Sequence, residues 1–379
     1  MELTLPKEMS RNKTGESRVQ SLDGVRFLAF LGVFLAHVYG NIQIFQLGTY
    51  GVRVFFVLSG FLIGGILLKQ RESGHSFLES LRIFYIRRFF RIFPLYYGVL
   101  FLVWILPRLH CNVFGVTGGI GWQIFYLTNM YRYFHGYVGP TAHFWSLAVE
   151  EQFYLIAPII LLCARKSQIE LGLILLWILN AAIHLLVAFF IHNPQVYLLS
   201  NIQFGYLGFG VAAAMIQQWG TFAGVSLKML YRIGIACIPI SIVLILLWMA
   251  GQMSDDLFQN VFEWPLGILT AAGVTALWRR EWPTVDVILS FAPMVFLGQI
   301  SYGLYVFHYL ILIAMEHLPD GVQLSRPVYL LTTLGTTILV SIASWFLFEK
   351  PMNNLKRFFP YSIIAKPSAI RNEAPTVTS

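Results

Sequence analysis

Charge is scarce in this chain. Only 12% of its 379 residues are Asp, Glu, Lys or Arg, about half the share of an ordinary soluble domain. A free globular protein in water is therefore excluded. Cysteine is nearly absent too. Cys111, Cys163 and Cys237 stand far apart, with no spacing suited to a disulfide framework or a zinc site, so no metal is expected. The opening stretch "MELTLPKEMSRNKTGESRVQS" has neither an early apolar run nor a small-residue cleavage site. The first apolar run is thus expected to be retained as a span rather than removed as a signal. No short-period repeat is present, and no soluble domain is expected beside the membrane part.

What the chain has is hydrophobicity. Apolar residues make up 57% of it, in recurring runs of about 20, the length a bilayer requires. Lipid offers no hydrogen bonds to the backbone, so such runs must be helices. The expected fold is all-α, a polytopic membrane protein with about ten transmembrane helices. They fall near residues 22–41, 51–69, 92–107, 143–164, 169–191, 198–218, 229–250, 259–278, 292–315 and 327–348. The eighth is interrupted by Glu263 and Pro265. A tail over residues 1–21, a membrane domain over 22–350 and a second tail over 351–379 complete the organisation. The tail after Lys350, with "KPSAIRNEAPTVTS", has the composition of an unstructured segment.

Basic residues orient the spans. With an even number of crossings and both termini in the cytoplasm, only Arg53, Arg108, Arg132 and Arg326 fall on the outer side, as the positive-inside rule requires. The same bias accounts for the net charge of +8. The implied partner is the lipid bilayer of the cell membrane, and no nucleic acid is needed. The outer segment 108–142 is the longest loop. Its "GWQIFYLTNMYRYFHGY" is aromatic-rich, suited to lying in the interface or re-entering the membrane.

Ionisable groups inside spans are costly and demand a reason. Arg26 and His37 are eleven residues apart, nearly three helical turns, so they share a face about 16 Å apart along the axis. Asp23, three residues before Arg26, can pair with it. In "HFWSLAVEEQFYLIAP", His143 and Glu150 are seven apart on one face. So are Ser301 and His308 in "GQISYGLYVFHYLIL". The topology brings His37, Glu150 and His308 to a similar depth in the outer half. Arg88 and Arg91, three apart near the inner edge, suit an anion, because guanidinium forks match phosphate oxygens. Imidazole suits a base at neutral pH. The bland alternatives are a histidine that only bonds another helix and arginines that set topology or touch anionic lipid.

Six stretches, in order, carry a family likeness: "SLDGVRFLAFLGVFLAHV", "GVRVFFVLSGFLIGG", "YIRRFFRIFPLYY", "HFWSLAVEEQFYL", "ISYGLYVFHYLIL" and "FEKPMNN". Over roughly residues 21–354 the chain resembles the acyltransferase 3 family of integral-membrane O-acyltransferases. That resemblance implies about ten core spans and transfer of an acyl group, commonly acetyl, from acyl-CoA to a hydroxyl of a sugar or other acceptor. It implies that His37 is the catalytic base, with Arg26 binding or orienting and Glu150 setting the imidazole. Arg88 and Arg91, with Arg87 as a third, would hold the phosphates of acetyl-CoA. His308, Ser301, Tyr302 and His143 would line the acceptor side. Where many members have Asp in "GVDxFFVLSG", this chain has Arg53. Two rival readings remain. A glycan or metabolite transporter would show two related halves, and none is seen. A serine hydrolase built on Ser59 would need glycine two residues earlier, where Val57 stands.

Overall fold

The computed structural model describes residues 10–11, 17–39, 47–109, 119–187, 194–317 and 324–361. Among these the chain is helical, apart from two ladders of two-residue strands. In order the helices are α1 (Gln20–Tyr39), α2 (Leu47–Arg71), α3 (Phe77–Ile105), α4 (Ile120–Ile124), α5 (Thr128–His135), α6 (Trp145–Cys163), α7 (Lys166–Leu186) and α8 (Ser200–Trp219). Then come α9 (Leu227–Met249), α10 (Asp255–Trp278), α11 (Pro283–Leu289), α12 (Ala292–Gln299), α13 (Ser301–Glu316), α14 (Arg326–Ser344) and α15 (Lys350–Asn354). Eight segments are long and apolar enough to cross a membrane, and the bent pair α12–α13 makes a ninth. The protein is an all-α, multi-pass membrane protein. Cys111 and the tail from residue 362 lie outside the described residues.

α8 occupies the place expected for the sixth span. It is twenty residues long, and most of its residues from Ser200 to Ile216 are buried among other helices. Its sequence "SNIQFGYLGFGVAAAMIQQW" is rich in small residues, which let backbones approach closely where lipid gives no hydrophobic drive to associate. The approach to α2 is extreme. A Cβ on Gly60 would lie 2.0 Å from the carbonyl oxygen of Leu207, and one on Gly210 would lie 2.1 Å from that of Val57. Gly210→Val is therefore expected to wedge the two helices apart. Overpacking of this kind costs about 1–3 kcal/mol, so the thermal midpoint and the yield of monodisperse protein in detergent should both fall. Gly65→Ala, with open space around its Cβ, is the matched control.

Three expectations are corrected. The third span, expected at 92–107, belongs to a 29-residue helix that starts at Phe77, where the Ser76 side chain accepts from the Glu79 N–H. The loop expected before it is thus largely helix. At 1.5 Å per residue α3 runs about 44 Å, longer than the hydrocarbon core of roughly 30 Å. The ninth span, expected as one helix, bends by 73° between α12 and α13. Gly298 marks the corner because its backbone sits against α1: an added Cβ would lie 1.9 Å from the carbonyl oxygen of Asp23. Gly24 makes the reciprocal approach, 2.1 Å from the carbonyl oxygen of Leu289. Finally, order continues past residue 350, through α15 and a 3-10 turn at Leu355–Phe358.

The segment around α4 and α5 is stitched into the bundle. Tyr96 and Tyr97 on α3 donate to the carbonyl oxygens of Gln123 (2.7 Å) and Ile124 (2.8 Å). Gln152 on α6 donates to the Tyr126 carbonyl oxygen at 2.8 Å and to Asn129 Oδ1 at 2.9 Å. Gln123, Thr128 and Asn129 are fully buried. The aromatic loop thereby forms a cap over α3, α6 and the start of α8.

Candidate functional site

His37 lies in the last turn of α1 and is half-buried. Its Nδ1 is 3.1 Å from Nε2 of His308 on α13. His308 is completely buried, and its Nδ1 lies 2.6 Å from the carbonyl oxygen of Tyr305. A carbonyl oxygen only accepts, so Nδ1 of neutral His308 carries the proton and Nε2 is left as an acceptor. His37 must then donate from Nδ1, which leaves its own Nε2 with a free lone pair. Two hydrogen bonds in series fix the tautomer of His37 in the form a base needs.

A third histidine completes this end of the bundle. His143, in the 3-10 turn before α6, is 5.0 Å from His308 between ring centroids. Its Nε2 is 3.2 Å from the carbonyl oxygen of Val306, which makes Nε2 the protonated atom and Nδ1 an acceptor. That Nδ1 is buried without a partner. Tyr309 closes the group, with its ring 5.0 Å from His37 and 5.3 Å from His143. The hydroxyl of Tyr305 donates to the His143 carbonyl oxygen at 2.9 Å and accepts from Ser146 at 2.6 Å. Arg132 on α5 is anchored on the Ala142 carbonyl oxygen at 3.1 Å and is the cation nearest the histidines in electrostatic terms. Among the described residues no group of three ligating side chains is placed to hold a metal ion.

The expected link between Glu150 and His37 is corrected. Glu150 accepts a 2.7 Å hydrogen bond from Ser59 on α2, and Arg26, Arg88 and Arg91 all lie within its electrostatic reach. The reason is depth: seven residues carry Glu150 about 10 Å along α6 from His143, toward the arginines. Ser59 therefore has a polar partner, whereas Gly60 beside it serves close packing as described above. The side chain that hydrogen-bonds His37 is instead His308.

The arginines separate by task. Arg26 is paired with Asp23 at 2.7 Å, in the region of α1 that Gly24 and Gly298 hold against α11 and α12. Arg91 has no hydrogen-bond partner among the described residues and faces Arg26, Arg88, Tyr154 and Asp23 electrostatically. Arg88 lies over the rings of Phe84 and Tyr154 at 5.6 and 5.8 Å, with its Nε buried and unpartnered. The three guanidinium groups share this region with Asp23, Glu150, Glu151 and Glu349. Among the described residues only Arg26 of the three is in a carboxylate ion pair, which leaves the planar forks of Arg88 and Arg91 to suit phosphate oxygens. Arg87 does not join them. It donates to the carbonyl oxygens of Lys356 at 3.0 Å and Phe359 at 2.8 Å, because the preceding turn of α3 points it at the segment after α15.

Two residues expected beside the histidines lie elsewhere. Tyr302 donates to the Ile92 carbonyl oxygen of α3 at 2.8 Å. Ser301 begins α13 at the bend, about 10 Å along the axis from His308. Sequence reasoning missed Glu349, a buried carboxylate that accepts from Ser344 at 3.0 Å and lies within electrostatic reach of Arg91. The acid of "FEKPMNN" itself, directly after the last apolar run, was the available signal. It also left Arg53 unexplained. Arg53 is 2% exposed and lies 5.0 Å over the ring of Tyr206 on α8. Nearby on α7 and α10, His184 and Glu263 sit 2.7 Å apart.

The polar groups thus form a column: three histidines at one end, Ser59 and Glu150 between, and three arginines at the other. Comparison with known proteins shows the family. The family described as "Acyltransferase domain" matches residues 19–346. A peptidoglycan O-acetyltransferase of Listeria monocytogenes, OatA, is 30% identical over 314 residues, covering 77% of this chain and 49% of that protein. A putative O-acetyltransferase of Staphylococcus aureus (strain COL) is 28% identical, covering 88% and 57%. A putative peptidoglycan O-acetyltransferase of Bacillus subtilis, YrhL, is 28% identical, covering 90% and 56%. The chain spans about half the length of these curated relatives. No solved structure matches it.

Proposed function

Because the chain belongs to the acyltransferase domain family, we propose that it is a membrane O-acetyltransferase that moves acetyl from acetyl-CoA to a hydroxyl of a glycan on the extracytoplasmic side, with His37 as general base. Peptidoglycan is the leading acceptor, since relatives bear that name. The basic-residue bias supports a membrane domain with both termini in the cytoplasm. Arg26, Arg88 and Arg91 then hold the phosphates of the donor at the inner face. The pantetheine arm runs along the polar column and delivers the thioester to His37.

The reaction balances within this site. Nε2 of His37 takes the proton of the acceptor hydroxyl as its oxygen attacks the thioester carbonyl carbon. The C–S bond breaks, and the imidazolium returns that proton to the departing thiolate. His308 keeps the imidazole in the required tautomer, as orienting partners do in other nucleophile–base arrangements. His143, Tyr309 and the half-buried rim of the histidine group face the acceptor. The observation that carries the reading is the chain from the Tyr305 carbonyl oxygen through His308 to His37, with distances of 2.6 and 3.1 Å.

Purified protein incubated with acetyl-labelled acetyl-CoA and peptidoglycan fragments should yield base-labile O-acetyl ester on the glycan. No label on any glycan, with donor hydrolysis equal in wild type and His37→Ala, would remove the reading. Label on an unrelated hydroxyl compound alone would remove peptidoglycan and leave the chemistry.

A further inference from the structure

The segment after the last span is held to α3 by more than packing. Arg87, 5% exposed, spends its guanidinium on the carbonyl oxygens of Lys356 and Phe359, 269 and 272 residues away in sequence. The same guanidinium lies 4.2 Å from the centroid of the Tyr361 ring. Arg88 reaches the Tyr361 hydroxyl from Nη2 at 3.5 Å, and the rings of Phe90 and Phe359 are 6.5 Å apart. Tyr361 itself is only partly buried. A flat aromatic ring, backed on one face by the Arg87 guanidinium, is thereby fixed beside Arg88.

This arrangement fits one kind of ligand group. A nucleotide presents a π-face and phosphates at fixed separation. Bases stack on aromatic side chains, and phosphates pair with guanidinium forks. Guanidinium stacking leaves the opposite face of the Tyr361 ring for a second planar partner. We propose that Tyr361 is the platform for the nucleotide base of the donor and that Arg87 is the positioning residue that sets the platform in place. Arg88 links this platform to the phosphate site. The inference rests on the reading of acetyl-CoA as donor. It adds a nucleotide-recognition residue beyond the matched domain, which ends at residue 346.

The test compares acetyl-CoA with S-acetyl-pantetheine, which carries the same thioester and no nucleotide. In Tyr361→Leu the KM for acetyl-CoA should rise on the order of tenfold, as loss of one base stack does, while kcat/KM for acetyl-pantetheine stays within about twofold. Tyr361→Phe, which keeps the ring, should restore most of the affinity. Arg87→Gln should move the ratio between the two donors in the same direction as Tyr361→Leu. Phe358→Ala, at a 62% exposed position in the same segment, should leave both donors unchanged. Equal losses for both donors, or a lowered thermal midpoint that tracks the activity, would make the segment a packing element and overturn the proposal. A gain of activity in Tyr361→Leu would make the ring an obstruction and overturn it as well. A wild-type protein that uses neither donor would remove the donor reading itself.

Discussion

Replacing His37 with alanine should lower kcat about 10²- to 10⁴-fold, the range supplied by a positioned general base, with CoA binding unchanged. The separation of effects follows from geometry. His37 lies at the far end of α1 from Arg26, eleven residues away and about 16 Å along the axis. Its loss therefore leaves the phosphate site untouched. His308→Ala should give a smaller loss of kcat, because the base survives while its tautomer and aim are released. Tyr305 offers a backbone carbonyl to this chain, so Tyr305→Phe should disturb the relay less than His308→Ala. The measurement is the initial rate of ester formation at saturating donor, alongside CoA binding by calorimetry. A His37→Ala protein that folds, binds CoA and keeps full kcat would end the base assignment.

Arg91→Ala should raise the KM for acetyl-CoA about 10- to 100-fold, the worth of a hydrogen bond to a charged group, and leave kcat at saturation little changed. Arg91 is the decisive position because it has no hydrogen-bond partner among the described residues, whereas Arg26 is held by Asp23 and Arg87 by backbone carbonyls. Arg91→Lys should recover part of the loss, since it keeps the charge and gives up the planar fork. Arg87→Lys should do least to the phosphate site. Full progress curves over donor concentration separate these cases. An Arg91→Ala enzyme with unaltered KM would move the donor phosphates elsewhere.

Much of this arrangement was legible in the sequence, and the boundary between legible and illegible is physical. Spacing within one helix is local geometry. That is why Arg26 and His37 could be put on one face, Asp23 against Arg26, and Arg88 one turn from Arg91. Partners on different helices are set by how helices cross, which no local period records. His308 and His37 are 271 residues apart, and Glu150 and Ser59 are 91 apart. The sequence pattern therefore sets Glu150 against His37, a contact that His308 makes instead. The bend between α12 and α13 was hidden for a similar reason. "FLGQISYG" has no proline or positive-φ residue to announce it. It arises where Gly298 meets the backbone of α1. Arg87 looked like its neighbours in "IRRFFR" because its partners lie beyond the last span.

The burial of α8 bears on how the molecule is made. Its sequence is the weakest candidate for lipid among the long helices, and it falls outside those apolar enough to cross unaided. A newly synthesised chain cannot leave such a segment alone in the bilayer without a receiving surface. α2 emerges from the ribosome well before α8 and already carries the glycine groove into which it fits. The order of the two helices along the messenger RNA is thus also an order of assembly. A folding defect in α2 should send α8 to the quality-control proteases even though its own sequence is intact.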